Sequence, residues 1–111
     1  MRPEIPKDAN ERLALIVERT AQDHVYNNLY YAALGLTSEA GEVAGEVKKV
    51  IRNDKNNLTN GRSERILDEL SDVLWYVQAM CVCIESDLDE LIEHLDFKLA
   101  DRMNHGTINE R

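Results

Sequence analysis

Two short acidic stretches, Glu39-Ala-Gly-Glu42 and Glu69-Leu-Ser-Asp72, decide how this sequence is expected to fold. Each stretch carries two carboxylates at positions i and i+3, a spacing that places both side chains on one face of a helix. At about 100° of rotation per residue, the second acid falls roughly 60° from the first, and the neighbouring apolar residues fall on the other side of the first acid. The two stretches therefore predict two amphipathic helices with the same arrangement of acids beside an apolar stripe.

A polar segment, residues 53–62, separates the two predicted helices and is rich in asparagine. Its composition favours a chain reversal, which would make the helices an antiparallel hairpin. Helices that face each other in this way through their apolar stripes bring both acidic flanks to one side. Glu42 and Asp72 also lie equally far along the chain from Asn57. The sequence therefore predicts one cluster of four carboxylates, formed by Glu39, Glu42, Glu69 and Asp72.

Converging carboxylates repel one another, and their burial is costly unless a cation or a shared proton compensates. Ligands that are all oxygen favour Mg²⁺, Mn²⁺ or Ca²⁺ over Zn²⁺, and Mg²⁺ commonly joins protein carboxylates to the phosphates of a substrate. Either pair alone is typical of ordinary surface charge, because 31% of the residues are charged. Two matched pairs favour a metal site, so we expect Mg²⁺, with Mn²⁺ as the other candidate, and phosphate chemistry.

The hydrophobic periodicity predicts an all-α, bundle-like single domain of four helices, with the acidic hairpin at its centre. The helices are expected at about residues 8–21, 27–52, 63–85 and 88–103. The residues expected at their starts are Asp8, Asn27 or Asn28, Ser63, and the capping-box pair Ser86 and Asp89. Gly35 is expected to bend or interrupt the second helix just before the acids.

Length and charge restrict the class of protein. The 111 residues suit a single domain, residues 1–111, whose long apolar faces favour a homodimer or homotetramer assembled through helix faces. A formal charge of −8 argues against a broad nucleic-acid-binding surface. No apolar run approaches the length of a membrane span, and Met1 opens no signal peptide. We expect a cytoplasmic protein without a membrane partner.

Four residues outside the acidic cluster are candidate substrate contacts, and each has a structural alternative. Lys49 either contacts phosphate at the edge of the metal site or only neutralises Glu46. Trp75 either stacks on a base or packs in the core or an interface. Lys98 and Arg102 either bind a phosphate tail or are solvated basic residues of the fourth helix.

Several motifs together resemble the MazG-like nucleoside triphosphate pyrophosphohydrolases over roughly residues 20–108. They are Gly35-Leu-Thr-Ser-Glu-Ala-Gly-Glu-Val43, Lys48-Lys49, Asp68-Glu-Leu-Ser-Asp-Val-Leu-Trp-Tyr76, Lys98-Leu99 to Arg102, and Gly106-Thr-Ile108. The resemblance implies an all-α enzyme that uses Mg²⁺ to hydrolyse the α–β bond of nucleoside triphosphates, giving a monophosphate and pyrophosphate. It implies metal ligands at Glu39, Glu42, Glu69 and Asp72, and substrate contacts at Lys49, Trp75, Lys98 and Arg102.

This chain also departs from MazG itself. It has Ser38-Glu39 where MazG has two glutamates, and one domain where MazG has two in tandem, which favours the shorter MazG-like branch. The chain ends at Arg111 soon after the Gly-Thr-Ile segment, so we expect a substrate lid that is truncated or completed by a partner.

Glu46 is the candidate for orienting or deprotonating the attacking water, with a supporting role beside the metal ligands, or pairing with Lys49, as its alternatives. Other substrates within the same architecture are dUTP and phosphoribosyl-ATP. A different class of function is a non-catalytic helical oligomerisation module, in which the acids form only a solvated ridge.

Overall fold

The computed structural model describes residues 8–21 and 28–106, which form four α-helices and no strand. The helices are α1 (Ala9–Thr20), α2 (Leu29–Arg52), α3 (Asn60–Cys83) and α4 (Leu88–Asn104). The expectation of an all-α, four-helix fold is confirmed. None of the described helices is both long enough and apolar enough to cross a membrane.

The antiparallel hairpin predicted from the acidic stretches is formed by α2 and α3. Near the connection, Arg62 of α3 binds Glu46 of α2. Toward the other end, the ring of Tyr76 lies directly against Gly35. Along α2 the contact with Tyr76 comes first and the contact with Arg62 second, whereas along α3 the order is reversed, so the two helices are antiparallel. The acids of both helices lie between these two contacts.

The connection between α2 and α3 reverses at Lys55 and Asn56, which adopt positive φ angles of 55° and 62°. Two successive left-handed residues are unusual outside glycine, although asparagine tolerates this conformation well. The Asn56 amide donates to the Val50 carbonyl at 2.9 Å, so a carbonyl at the end of α2 finds a partner.

Capping residues begin all four helices, and two of them differ from the expectation. Asp8 and Asn28 cap α1 and α2 as predicted, since each side chain accepts a backbone amide three residues later. The third helix was expected to begin at Ser63, but Thr59 caps α3 one turn earlier. The fourth is capped by Asp87 instead of Ser86.

The earlier start of α3 has a physical reason. Thr59 accepts the Arg62 amide at 3.1 Å, which holds Arg62 in the first turn, where its side chain is buried against two carboxylates. Those ion pairs outweigh the poor helix propensity of Asn60 and Gly61. At α4, Ser86 instead donates to the Glu90 carboxylate at 2.9 Å.

The expected interruption at Gly35 is wrong, because α2 runs without a break from Leu29 to Arg52. Glycine is required here by packing: a Cβ built on Gly35 would lie 2.6 Å from Cδ1 of Tyr76 and closer still to other atoms of the ring. The Thr37 hydroxyl donates to the Ala33 carbonyl at 3.1 Å, a bond that is compatible with the helix.

The described core lies at the end of the hairpin that is remote from the turn. Leu13 and Val17 of α1 pack against Ala32 of α2 and Ala79 of α3. The two alanines let α1 approach the hairpin closely, and Val17 is fully buried. This core leaves the acidic side of the hairpin open.

Candidate metal centre

Three of the four predicted metal ligands converge. Carboxylate oxygens of Glu39, Glu69 and Asp72 all lie within 4.8 Å of one another. Glu39 comes from α2, whereas Glu69 and Asp72 are one turn apart on α3, so the site spans both helices of the hairpin. Glu39 and Glu69 are half-buried and Asp72 is exposed, which leaves the group open to solvent on one side.

Glu42, the fourth predicted ligand, lies beside this group. It is exposed on α2, and its charge makes the largest Coulombic contribution to the raised pKa of Glu69. The structure therefore places Glu42 close to Glu69 but not within the set of three oxygens that converge on one point.

The electrostatics of Glu69 show the cost of bringing these acids together. Burial is the main cause that raises its pKa above the usual value, followed by the charges of Glu42, Asp72 and Glu39. A site that holds a carboxylate in this state favours a bound cation or a proton. Three carboxylate oxygens at this spacing fit a hard divalent cation, Mg²⁺ or Mn²⁺, better than Zn²⁺.

Two adjoining grooves open from the acidic group. One has a volume of about 290 Å³ and is lined by Glu39, Asp72, Trp75 and Tyr76. The other, of about 270 Å³, is lined by Tyr31, Leu34, Gly35, Ser38, Glu39 and Tyr76. Glu39 and Tyr76 line both grooves, so the acids and an aromatic surface lie side by side.

Trp75 and Tyr76 form the aromatic part of this surface. Their ring centroids are 4.9 Å apart with an interplanar angle of 72°, an edge-to-face contact. The Trp75 indole N–H donates to the Thr20 hydroxyl at 2.7 Å, which fixes the ring against α1. Trp75 thus lies beside the acids, as predicted, and also packs against α1.

The sequence reasoning did not identify Tyr76 as a site residue. A usable signal existed, since Tyr76 lies seven residues after Glu69 and therefore on the same face of α3. Burial is the main cause that raises the pKa of its phenol, and electrostatic repulsion from an ionised Tyr31, from Glu39 and from Asp72 acts in the same direction. The hydroxyl therefore stays protonated near the acids.

Glu46 and Lys49 lie at the turn end of the hairpin. The Lys49 ammonium is 3.2 Å from one Glu46 oxygen, and the other oxygen is 2.6 Å from the Arg62 guanidinium. The pKa of Glu46 is lowered, chiefly by its hydrogen bond from Arg62. Both oxygens of Glu46 thus have cationic partners, and its role in activating water stays a prediction.

Arg62 was missed by the sequence reasoning, although it lies seven residues before Glu69 on the same face of α3. Its side chain is only 7% exposed and also binds Asp54 of the connection, at 2.8 and 3.4 Å. These bonds are the main cause of the lowered pKa of Asp54 and the raised pKa of Arg62. The seven-residue spacing from Glu69 was the available signal, but the expected helix start at Ser63 left Arg62 in the connection.

Lys98 and Arg102 are half-buried on α4, which packs against α3. Neither residue is among those that line the two grooves. Thr107 and Ile108, which belong to the predicted lid segment, lie outside the described residues, as does the alternative helix start Asn27. The substrate contacts predicted at Lys98 and Arg102 therefore stay predictions.

Comparison with known proteins places this chain in a family. Residues 30–107 match the family model of the MazG nucleotide pyrophosphohydrolase domain. The chain is also 34% identical over 80 residues to Gene 37 protein of Mycobacterium phage L5, across 72% of this chain and 70% of that protein. No solved structure gave a match. The family match spans the hairpin, its acidic group and α4, and the chain belongs to the MazG nucleotide pyrophosphohydrolase family.

Proposed function

We propose that the protein hydrolyses the α–β bond of nucleoside or deoxynucleoside triphosphates, giving a nucleoside monophosphate and pyrophosphate in a Mg²⁺-dependent reaction. The observation that carries the proposal is the convergence of Glu39, Glu69 and Asp72 within 4.8 Å at the mouth of an aromatic groove. Membership of the MazG family supports the same class of reaction.

The four acids supply the ligands in this proposal. Glu39, Glu69 and Asp72 would hold the metal ion, and Glu42 would complete the set from its position beside Glu69. A bound Mg²⁺ supplies a Lewis acid for the phosphate oxygens and lowers the pKa of a coordinated water. Mn²⁺ has the same preference for oxygen ligands and is the expected substitute.

The aromatic groove is the proposed place for the nucleoside. Trp75 and Tyr76 line it beside the acids, and Tyr31 lines the adjoining groove. Rings of this kind stack on any base, because every base offers an apolar face, and each stacking contact is worth about 1–3 kcal/mol. A base held there would leave its phosphates facing the carboxylates, where the metal ion compensates the repulsion.

The proposal is tested by measuring pyrophosphate and orthophosphate release from a panel of nucleotides, with and without Mg²⁺. We expect Mg²⁺-dependent pyrophosphate, lost in Glu42→Gln while circular dichroism shows unchanged helicity. Glu64→Gln, an exposed acid of α3 outside the groove, is the matched control and should retain activity. Activity retained in Glu42→Gln would remove that residue from the site.

The same panel separates the alternatives. A strong preference for dUTP or phosphoribosyl-ATP would narrow the substrate within the same chemistry. No phosphate release from any nucleotide, by protein shown to be folded, would favour the non-catalytic helical module. Orthophosphate in place of pyrophosphate would contradict cleavage at the α–β bond.

We further propose that the protein is a homodimer or homotetramer. Large apolar side chains of the described helices stay exposed in the single chain: Phe97 is 79%, Leu67 64% and Ile92 52% exposed. Apolar side chains on a helix face in such number are typical of a surface that makes contacts with a second copy. The large apolar residues available for such contacts include Leu67, Leu70, Leu74, Ile92, Leu95 and Phe97.

Light scattering coupled to size-exclusion chromatography tests this second proposal. We expect a mass of two or four chains, and a shift toward monomer when Phe97, which is 79% exposed, is changed to Glu. A monomeric mass for the wild-type protein at all concentrations would refute the proposed assembly. In an oligomer, Lys98 and Arg102 would be candidates for phosphate contacts in the site of a neighbouring subunit.

A further inference from the structure

Arg62 occupies an unusual position for a charged residue. Its side chain is 7% exposed and lies between a carboxylate of α2 and a carboxylate of the connection. Glu46 is bound at 2.6 Å and Asp54 at 2.8 Å. A side chain so covered and so fully paired is unavailable to a nucleotide, so its function must be exerted through its partners.

The spacing along α3 relates this ion-pair network to the acidic group. Arg62, Glu69 and Tyr76 are seven residues apart in turn, so all three fall on nearly the same face of α3. Their counterparts on α2, in matching order, are Glu46, Glu39 and Gly35. Seven helical residues rise about 10.5 Å, so Arg62 lies well away from the metal ligands while belonging to the same row of contacts.

The acidic group needs an opposing force at this interface. Its carboxylates repel one another across α2 and α3, and this repulsion favours separation or sliding of the helices. Arg62 resists both motions, because its planar guanidinium is bound to α2 and to the connection at the same time. Lys49 adds a second cation on the free oxygen of Glu46.

We propose that Arg62 is a positioning residue for the metal site. Through Glu46 and Asp54 it holds α2 and α3 in the register that brings Glu39 to Glu69 and Asp72. Glu46 then serves as the anchor of this network on α2, and not as the group that activates water. The inference rests on the proposed metal site, and it assigns a role to residues that do not touch the metal or the substrate.

Manganese binding, followed by the EPR signal of free Mn²⁺, tests the proposal without any nucleotide. Arg62→Gln should weaken Mn²⁺ binding by about 10–100-fold, the usual effect of losing a residue that orients metal ligands. The Mn²⁺ affinity of Arg62→Lys should lie between those of the wild-type protein and Arg62→Gln, because one ammonium group cannot bind two carboxylates as the planar guanidinium does. Arg65→Gln is the matched control: Arg65 is exposed on the same helix, and its loss should leave Mn²⁺ binding unchanged.

Glu46→Gln separates positioning from catalysis. Positioning predicts weaker Mn²⁺ binding in this variant, no further weakening when Arg62→Gln is added, and a turnover rate that recovers at saturating metal. A water-activating Glu46 predicts the opposite: normal Mn²⁺ binding and a turnover rate that stays low at any metal concentration. That opposite result would overturn the proposal.

The test remains decisive if one variant fails to fold. Arg62→Lys retains the buried charge and provides a second variant. If folded Arg62→Lys and Arg62→Gln bind Mn²⁺ with the affinity of the wild-type protein, the positioning role of Arg62 is refuted while the metal site itself still stands. Absence of Mn²⁺ binding by the wild-type protein would refute the metal site and this inference together. A wild-type protein that binds Mn²⁺ but cleaves no nucleotide would refute only the proposed hydrolysis, while the Arg62 comparison would still stand.

Discussion

The contact between Gly35 and Tyr76 gives a sharp prediction about stability. Gly35→Ala places a methyl group about 2.6 Å from Cδ1 of Tyr76 and closer to the rest of the ring, so the ring must move. Overpacking of this kind costs about 1–3 kcal/mol. Alanine simultaneously improves helix propensity by about 1 kcal/mol, and this gain hides part of the cost.

Gly45→Ala provides the control that separates the two effects. Gly45 lies in the same helix, and a Cβ added there meets nothing within 4 Å. It should therefore show only the gain in propensity. The difference between the two variants isolates the overpacking cost of about 1–3 kcal/mol, which corresponds to a gap in Tm of roughly 4–12 °C for a chain of 111 residues.

Thermal denaturation followed by circular dichroism measures this gap. All variants should be compared at one protein concentration, because the Tm of an oligomer depends on concentration. Replacing the ring by the shorter leucine side chain in Tyr76→Leu should remove the overpacking cost of alanine at position 35. If Gly35→Ala stabilises the protein as much as Gly45→Ala does, the packing reason for this glycine is wrong.

Acidification, metal addition and loss of one hydrogen bond test other parts of the structure. Arg62 holds the pKa of Asp54 below its usual range, so this pair stabilises the fold above about pH 4 and less as the pH falls through the lowered pKa. In urea titrations, the stability deficit of Arg62→Gln should therefore shrink on acidification; a deficit that does not change with pH would contradict the ion pair. Mg²⁺ at about 100 times its Kd should stabilise the wild-type protein by about 2.7 kcal/mol, and an equal rise of Tm in Glu69→Gln would count against the site. Trp75→Phe should cost about 1 kcal/mol, and Thr20→Val should add little to it because both variants remove the same bond.

The positions of the acids could be predicted because they depend on local periodicity. A spacing of three residues fixes which face of a helix Glu39 or Glu69 occupies, whatever the rest of the chain does. The polar connection then requires only that the helices run antiparallel. Together these two local properties were sufficient to bring carboxylates of both helices to one side of the hairpin, where the structure has them.

The remaining features depend on particular pairs of residues across the hairpin. Ser63 is by type the better cap, and only the burial of Arg62 against carboxylates favours Thr59. Gly35 indicates a helix break when α2 is considered alone, and becomes a packing requirement only when the ring of Tyr76 is opposite. The sequence pattern of one helix considered alone therefore cannot predict these contacts.

The contacts on either side of the acids are those that the carboxylates require. Burial of Glu69 and repulsion from the neighbouring acids both raise the pKa of Glu69, and both make the middle of the interface unfavourable without a cation or a proton. On the turn side, Arg62 fixes the register of α2 against α3 through its ion pair with Glu46. On the other side, Tyr76 fixes the register because its ring fits against Gly35. Arg62 lies about two helical turns from Glu69, whereas Tyr76 lies about one turn from Asp72 and Gly35 about one turn from Glu39, so one contact is remote from the acids and the other adjoins them. These contacts thus hold the acids of the two helices in alignment, as the proposed binding of a divalent ion requires.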